Sequence, residues 1–306
     1  MIRIKIFSGC IRLVIHLFLA LFHAALDNGG KNMFSEIVEN VRKTVPLIHN
    51  ITNYVTVTDV ANMLLACGGS PIMADDRNEV EEITSICNGL NINIGTLNER
   101  TVQSMEKAGK KANELDHIVV LDPVGAGASS FRTNTANELL KKISFTVIRG
   151  NISEIKTIAK GSGTTKGVDA DVADVVTEEN IEEVIGFAKE LAGKTKAVIA
   201  ITGAIDIVAD EKNAYVVYNG HPMMSKVTGT GCMLSGVIAA FVAANRDCVL
   251  EAVVAAVAAM GLSGEIAYEK VKKENAGTSS FRTYLIDAMS NMTGEMLEGG
   301  MKIESK

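Results

Sequence analysis

Tryptophan is absent from this 306-residue chain, and aromatic residues make up 5% of it. Platforms on which nucleic-acid bases could stack are therefore scarce. An excess of basic charge is lacking as well. The net charge is −6, and no Lys/Arg cluster with interleaved aromatics offsets it, which argues against general affinity for nucleic acid. The five cysteines (Cys10, Cys67, Cys87, Cys232 and Cys248) are odd in number, scattered and without CxxC spacing. That pattern speaks against a disulfide framework or a zinc site and fits a reducing cytoplasm. What the chain has in quantity is apolar: 47% of residues are hydrophobic and 22% charged, a globular profile with ample material for a core. Its length suits one large α/β domain or two small ones.

Residues 1–32 stand apart, with a basic start, an apolar middle from about Leu13 to Leu26 and a small-residue stretch. A targeting peptide has this pattern. The apolar part is interrupted by His16 and His23 and is short for a membrane span. The favoured expectation is a translated leader ahead of a true start at Met33. Gly29-Gly30 precedes Lys31-Asn32-Met33, and the codons GGA GGN would form a ribosome-binding site before an ATG. Residues 33–306 are then expected to form a single domain.

From Met33 onward, short apolar runs alternate with helical patterns. The runs at 45–49, 70–73, 90–94, 117–123, 145–151 and 197–203 are bounded by Gly, Pro or Asn and read as buried strands. Stretches such as "NERTVQSMEKAGKKANEL" and "EENIEEVIGFAKELAGK" between them have helical period and length. The alternation predicts a mostly parallel sheet with helices on both faces and right-handed crossovers. Residues 205–220 differ: two strands around Asp210-Glu211-Lys212-Asn213 predict an antiparallel hairpin, and helices follow it. "SSFRT" occurs at 129–133 and again at 279–283, and both copies read as helix N-caps. The segment 159–170 reads as a surface loop, and "DDRNEVEE" (75–82) as a solvated helix face.

Ligands of such sheets gather at the carboxyl ends of the strands. Two phosphate motifs fail there. "GKT" at 193–195 lacks the P-loop glycine, since position 188 is Ala188, and reads as a helix end capped by Gly193. GxGxxG fails at both Gly125 and Gly229 for want of the third glycine. "KVTGTGCMLSG" (226–236) survives. Gly229 and Gly231 let the backbone turn tightly and present N–H groups at the start of a helix, which suits a phosphoryl oxygen. Other strand ends supply Asp122 in "LDPVGAG", Arg149, Asn151 and Glu154 in "RGNISE", and Thr202 in "ITGA". Phosphoryl transfer calls for such cation clamps and for a carboxylate-anchored Mg²⁺.

The ordered series "HNITNYVTVTDVANMLLACGGSPIMA", "NINIGTL", "LDPVGAGAS", "IRGNISEI", "KGVDA", "AITG" and "KVTGTGCMLSG" resembles the hydroxyethylthiazole kinases of the ribokinase-like superfamily, from about Val45 to Leu285. The resemblance implies a three-layer sandwich and ATP-dependent, Mg²⁺-assisted phosphorylation of the hydroxyethyl arm of 4-methyl-5-(2-hydroxyethyl)thiazole, a salvage step toward thiamine. It implies that Met73 and Gly229 line the thiazole pocket, that Arg149 and Thr202 contact ATP, and that Asp122 and Glu154 place Mg²⁺. Asn53 is a further substrate-side candidate. It also implies a homotrimer with active sites between subunits. The loop from Ile158 to Val168 departs from the family in being short and built of Gly, Ser and Thr.

Cys232 stands where sugar kinases of the wider superfamily carry an aspartate base. As an expectation, the helix N-terminus lowers its thiol while bound phosphates push it back, and Cys232 accepts the hydroxyl proton or only orients the hydroxyl. The alternatives are a hydroxymethylpyrimidine kinase, a ribokinase-like NAD(P)H-hydrate dehydratase and a non-catalytic nucleotide sensor. Mass spectrometry of the native N-terminus is expected to find a chain starting at Met33 or just after it. A mature chain beginning earlier rules out the mis-start.

Overall fold

The computed structural model describes residues 33–161 and 175–306. The expected leader and most of the 159–170 loop lie outside the described residues. Helix α1 (33–44) opens the domain. Strands and helices then alternate as β1 (Leu47–Ile51), α2 (Val57–Cys67), β2 (Ser70–Met73), α3 (Val80–Ile86), β3 (Gly89–Asn93) and α4 (Glu99–Glu114). The series continues with β4 (Ile118–Asp122), α5 (Ser130–Lys142), β5 (Val147–Gly150), α6 (Ile152–Gly161), α7 (Ile181–Thr195) and β6 (Val198–Ile201). The expected hairpin forms as β7 (Asp206–Ala209) and β8 (Ala214–Val217). At its tip Asp210 accepts hydrogen bonds from the backbone N–H groups of Lys212 and Asn213. Helices α8 (Thr230–Ala244), α9 (Val249–Glu274), α10 (Thr278–Asn291) and α11 (Gly294–Gly300) precede a last edge strand, β9 (Ile303–Ser305).

These strands make one nine-stranded sheet in the order β2-β1-β3-β4-β5-β6-β7-β8-β9. Pairing is parallel from β2 through β6 and antiparallel from β6 to β9. Alternate side chains go to opposite faces. Ile118 and Val120 therefore join the core under α8 and α9, while Val119 and Leu121 join the one under α4 to α7. This is the α/β sandwich that the alternation predicts. The stretch Arg246–Glu274 is long and apolar enough to cross a membrane, with an 18-residue window of mean hydropathy 1.7, yet 78% of that window is buried within the protein. It is the central helix of one core layer.

Three local expectations need correction. The first strand begins at Leu47 and not at Val45, because Val45 takes φ 46° as the chain leaves α1. Gly193 lies inside α7, which runs on to Thr195. Lys196, at φ 58°, ends it and returns its N–H to the carbonyl of Ala192. The two "SSFRT" copies also diverge. Ser129 caps α5 by accepting the Arg132 N–H, but the second copy sits inside α10, whose cap is Gly277.

In that second copy, Arg282 reaches α2 and donates Nε to both carboxylate oxygens of Asp59, at 2.8 and 2.9 Å. Asp59 is 8% exposed, so removing its partner strands a buried charge. Arg282→Ala is expected to cost about 1–3 kcal/mol of unfolding free energy. Lys141→Ala, which breaks the exposed Glu138 pair, should cost under about 0.5 kcal/mol. Urea unfolding of both variants checks the difference.

Candidate active site

The polar residues of the strand ends converge by register. Asn93 stands beside Asp122 in the parallel pairing of β3 and β4, and Arg149 beside Ala200 in that of β5 and β6. By strand parity Asn93, Asp122 and Arg149 face the α8 side, where Cys232 and Ser235 occupy the helix's first turns. Asp122 has no exposed surface. Its Oδ2 accepts from Asn93 Nδ2 and from Ser235 Oγ, both at 2.8 Å. Its Oδ1 lies 3.5 Å from Arg149 Nη1 and has no hydrogen-bond partner. Burial pushes this carboxyl upward, the Arg149 guanidinium opposes that, and the nearby Glu154 adds to it.

Arg149 also donates Nη2 to Thr202 Oγ1 at 2.6 Å, while its buried Nε is unpartnered. Arg149 and Thr202 open onto a cavity of ≈ 500 Å³, lined also by Asp206, His221, Thr230 and Gly231. Asp206 accepts the Gly203 N–H at 2.7 Å, and burial raises its carboxyl to about 7. Glu154, in the first turn of α6, receives the N–H of Gly125 on Oε1 at 2.8 Å and that of Asn151 on Oε2 at 2.9 Å. It thus ties the loop after β4 to the start of α6. Each of its oxygens keeps a lone pair for a further donor or a cation.

Helix α8 starts at Gly229, with φ 86° and no side-chain cap, so its first N–H groups stay available. A Cβ at Gly229 would lie 2.3 Å from Thr56 Cγ2. A Cβ at Gly231 would lie 2.5 and 2.6 Å from Arg149 Nη2 and Nη1. The first glycine is needed for backbone and space together, the second so that the guanidinium can lie against the helix start.

Cys232 follows in the same turn, 9% exposed, and its Sγ accepts from Asn53 Nδ2 at 3.2 Å. Burial raises the thiol first and the Asp122 carboxylate second, against donors on Asn93, Thr56 and Asn53. Burial thus works against the lowering expected from the helix N-terminus. Met73 joins none of these hydrogen-bonded groups. It ends β2, the outermost strand, paired with Asn50. The sequence reading missed Asn93, Ser235 and Arg132, whose guanidinium bridges the carbonyls of Gly95 and Val124 at 2.6 and 2.9 Å. The alternation of Asn91 and Asn93 within an otherwise apolar strand was the available signal.

The family model described as "Hydroxyethylthiazole kinase family" matches residues 38–295, so it spans every residue of this site. The chain belongs to the hydroxyethylthiazole kinase family. A hydroxyethylthiazole kinase of Clostridium acetobutylicum is 63% identical over 273 residues, covering 89% of this chain and all of that one. Its counterpart in Clostridium beijerinckii is 52% identical, covering 88% of this chain and 95% of that one. A solved hydroxyethylthiazole kinase structure from Pyrococcus horikoshii OT3 superposes with a TM-score of 0.80 at 36% identity, over 90% of this chain and 99% of that chain. A Bacillus subtilis ADP/ATP-dependent NAD(P)H-hydrate dehydratase, at TM-score 0.52 and 15% identity over 81% of this chain and 90% of that one, shares the fold alone.

Within a member of this family, the glycine clearances make a test. Gly231→Ala should lower kcat/KM for the nucleotide by about 10-fold or more, because Arg149 is displaced, with a loss of stability set by the weakened Arg149–Asp122 pair. Gly229→Ala should lose stability as well, from the left-handed φ. Steady-state kinetics alongside thermal melts separates the two.

Proposed function

We propose that this chain transfers the terminal phosphoryl group of ATP to the hydroxyethyl arm of 4-methyl-5-(2-hydroxyethyl)thiazole, giving the thiazole phosphate used in thiamine salvage. Family membership supplies the substrate. The observation that carries the chemistry is Arg149, held between Asp122 and Thr202 beside a cavity roofed by the uncapped start of α8. Phosphoryl transfer passes through a loose transition state, so positioning and charge stabilisation do most of the work. Arg149, Thr202 and the first N–H groups of α8 bind the phosphates. Met73 and Gly229 line the thiazole side, together with Asn53.

The buried, unpartnered Oδ1 of Asp122 fits a hydrated Mg²⁺, which Asp122 and Glu154 would hold. Among the described residues no cluster of three or more His, Cys, Asp or Glu could hold a metal. A cation held mainly by phosphates, water and one or two carboxylates is the usual Mg²⁺ arrangement. When bound, Mg²⁺ neutralises charge on the phosphates. Cys232, as a thiol, orients the substrate hydroxyl. The hydroxyl oxygen bonds to the γ-phosphorus, the bond to the ADP oxygen breaks, and the hydroxyl proton passes to an oxygen of the transferred phosphoryl group, or to Cys232 where the thiolate is present.

A homotrimer with sites between subunits fits the edge at β2. Tyr54, Val55 and Leu65, on or just before the adjoining α2, are 77%, 58% and 59% exposed. Met73 lies on this edge strand. The four described cysteines are free, as a cytoplasmic enzyme requires.

Purified protein should consume ATP with the thiazole alcohol and not with the pyrimidine alcohol or water. Chelation should stop turnover, and added Mg²⁺ should restore it. Turnover with the pyrimidine alcohol alone would reassign the substrate, and none with either would sink the kinase reading. Cys232→Ala should reduce kcat by about 10-fold if the thiol orients the hydroxyl, against about 100-fold or more for a true general base. Undiminished turnover in that variant removes Cys232 from the chemistry.

A further inference from the structure

Asn53, Asn93, Asp122, Cys232 and Ser235 form one buried hydrogen-bonded chain under the start of α8. Asn53, Asn93, Asp122 and Ser235 are at most 4% exposed. Ser235 Oγ and Asn93 Nδ2 both donate to Asp122 Oδ2. Asn93 Oδ1 accepts from Asn53 Nδ2 at 3.0 Å and from the Gly95 N–H at 2.9 Å. Asn53 Nδ2 donates onward to Cys232 Sγ, while its Oδ1 accepts from the N–H and the hydroxyl of Thr56, at 3.1 and 3.0 Å.

The direction of this chain is fixed chemically. A carboxylate only accepts, so Asn93 must turn its NH₂ toward Asp122. Its carbonyl then faces Asn53, which must answer with an NH₂. The backbone N–H groups of Gly95 and Thr56 hold both carbonyls in that sense. The sulfur, last in line, therefore receives an N–H and never a carbonyl.

We propose that Asn93 is a positioning residue that, together with the Thr56 N–H, fixes the amide direction at Asn53 and so guarantees Cys232 Sγ a hydrogen-bond donor. The cation-side carboxylate and the thiol, on different strands and helices, are thereby linked through two amides. Its effect on turnover rests on the kinase reading above. Its effect on the sulfur does not.

The test is the rate at which iodoacetamide alkylates Cys232 in the ligand-free protein, followed by mass spectrometry of the Cys232 peptide. The Cys248 peptide serves as internal reference, since Cys248 makes no contact with this chain of bonds and is partly exposed. Losing the donor destabilises the thiolate, so Asn93→Leu should slow Cys232 alkylation by about 3- to 10-fold and leave Cys248 unchanged. Asn53→Ala, which removes the donor itself, should slow it at least as much, and the double variant should be no slower than Asn53→Ala alone. If the role of Asn93 were only to hold the fold, its loss would loosen the site and speed alkylation. A faster or unchanged rate, or additive slowing in the double variant, overturns the proposal. Should Asn93→Leu fail to fold, Asn93→Ser, which cannot span to both neighbours, carries the same expectation. Wild-type protein without kinase activity would sink the functional reading and leave this rate comparison standing.

Discussion

A carboxylate with no exposed surface at the end of a central strand must be compensated from within the protein, and Asp122 sets much of the arrangement around it. Asn93 and Ser235 neutralise one oxygen with donated hydrogens. Arg149 approaches the other from the neighbouring strand. Each of these groups is then committed in a second direction: Asn93 to Asn53, Ser235 to the helix that carries Cys232, Arg149 to Thr202. The stabilisation of one buried charge thereby fixes the places of the groups assigned to substrate, nucleotide and hydroxyl. The compensation is incomplete, with Asp122 Oδ1 and Arg149 Nε lacking partners. A binding site needs such a remainder.

The glycines of the turn before α8 belong to the same constraint. A helix start can face phosphates only if nothing stands in front of it. Here two side chains press against it, Thr56 over Gly229 and Arg149 over Gly231. Flexibility is the smaller part of the explanation. Gly231 is a clearance, and its absent Cβ is the space that the guanidinium occupies. Cys232, next in line, is buried by the same packing. That burial pushes its thiol upward.

Much of the fold was legible in the chain. Runs such as "HIVVLDP" and "AVIAITG" are continuous, apolar and short, and each became a strand buried on both faces. The hairpin around Asp210 was legible because its turn chemistry is local. Where local signals compete, the reading slipped. Gly193 looks like a helix stop, but α7 buries Leu191 and Ala192 and runs on past it. The second "SSFRT" looks like a cap, but its arginine is drawn to Asp59, 223 residues away in sequence. The site was legible as residue types at strand ends, and the resemblance assigned their roles.

The sequence by itself determined the layers, the mostly parallel character of the sheet and the rim on which the polar residues stand, because hydrophobic period and turn chemistry act over a few neighbours. Only the tertiary structure decided which polar residues touch. It placed Asn93 against Asp122, put Asn53 on the sulfur of Cys232, and left Met73 apart at the sheet edge. It also set burial against the lowering expected from the helix terminus. A helix terminus is visible in a sequence, but desolvation depends on what distant segments pack above it.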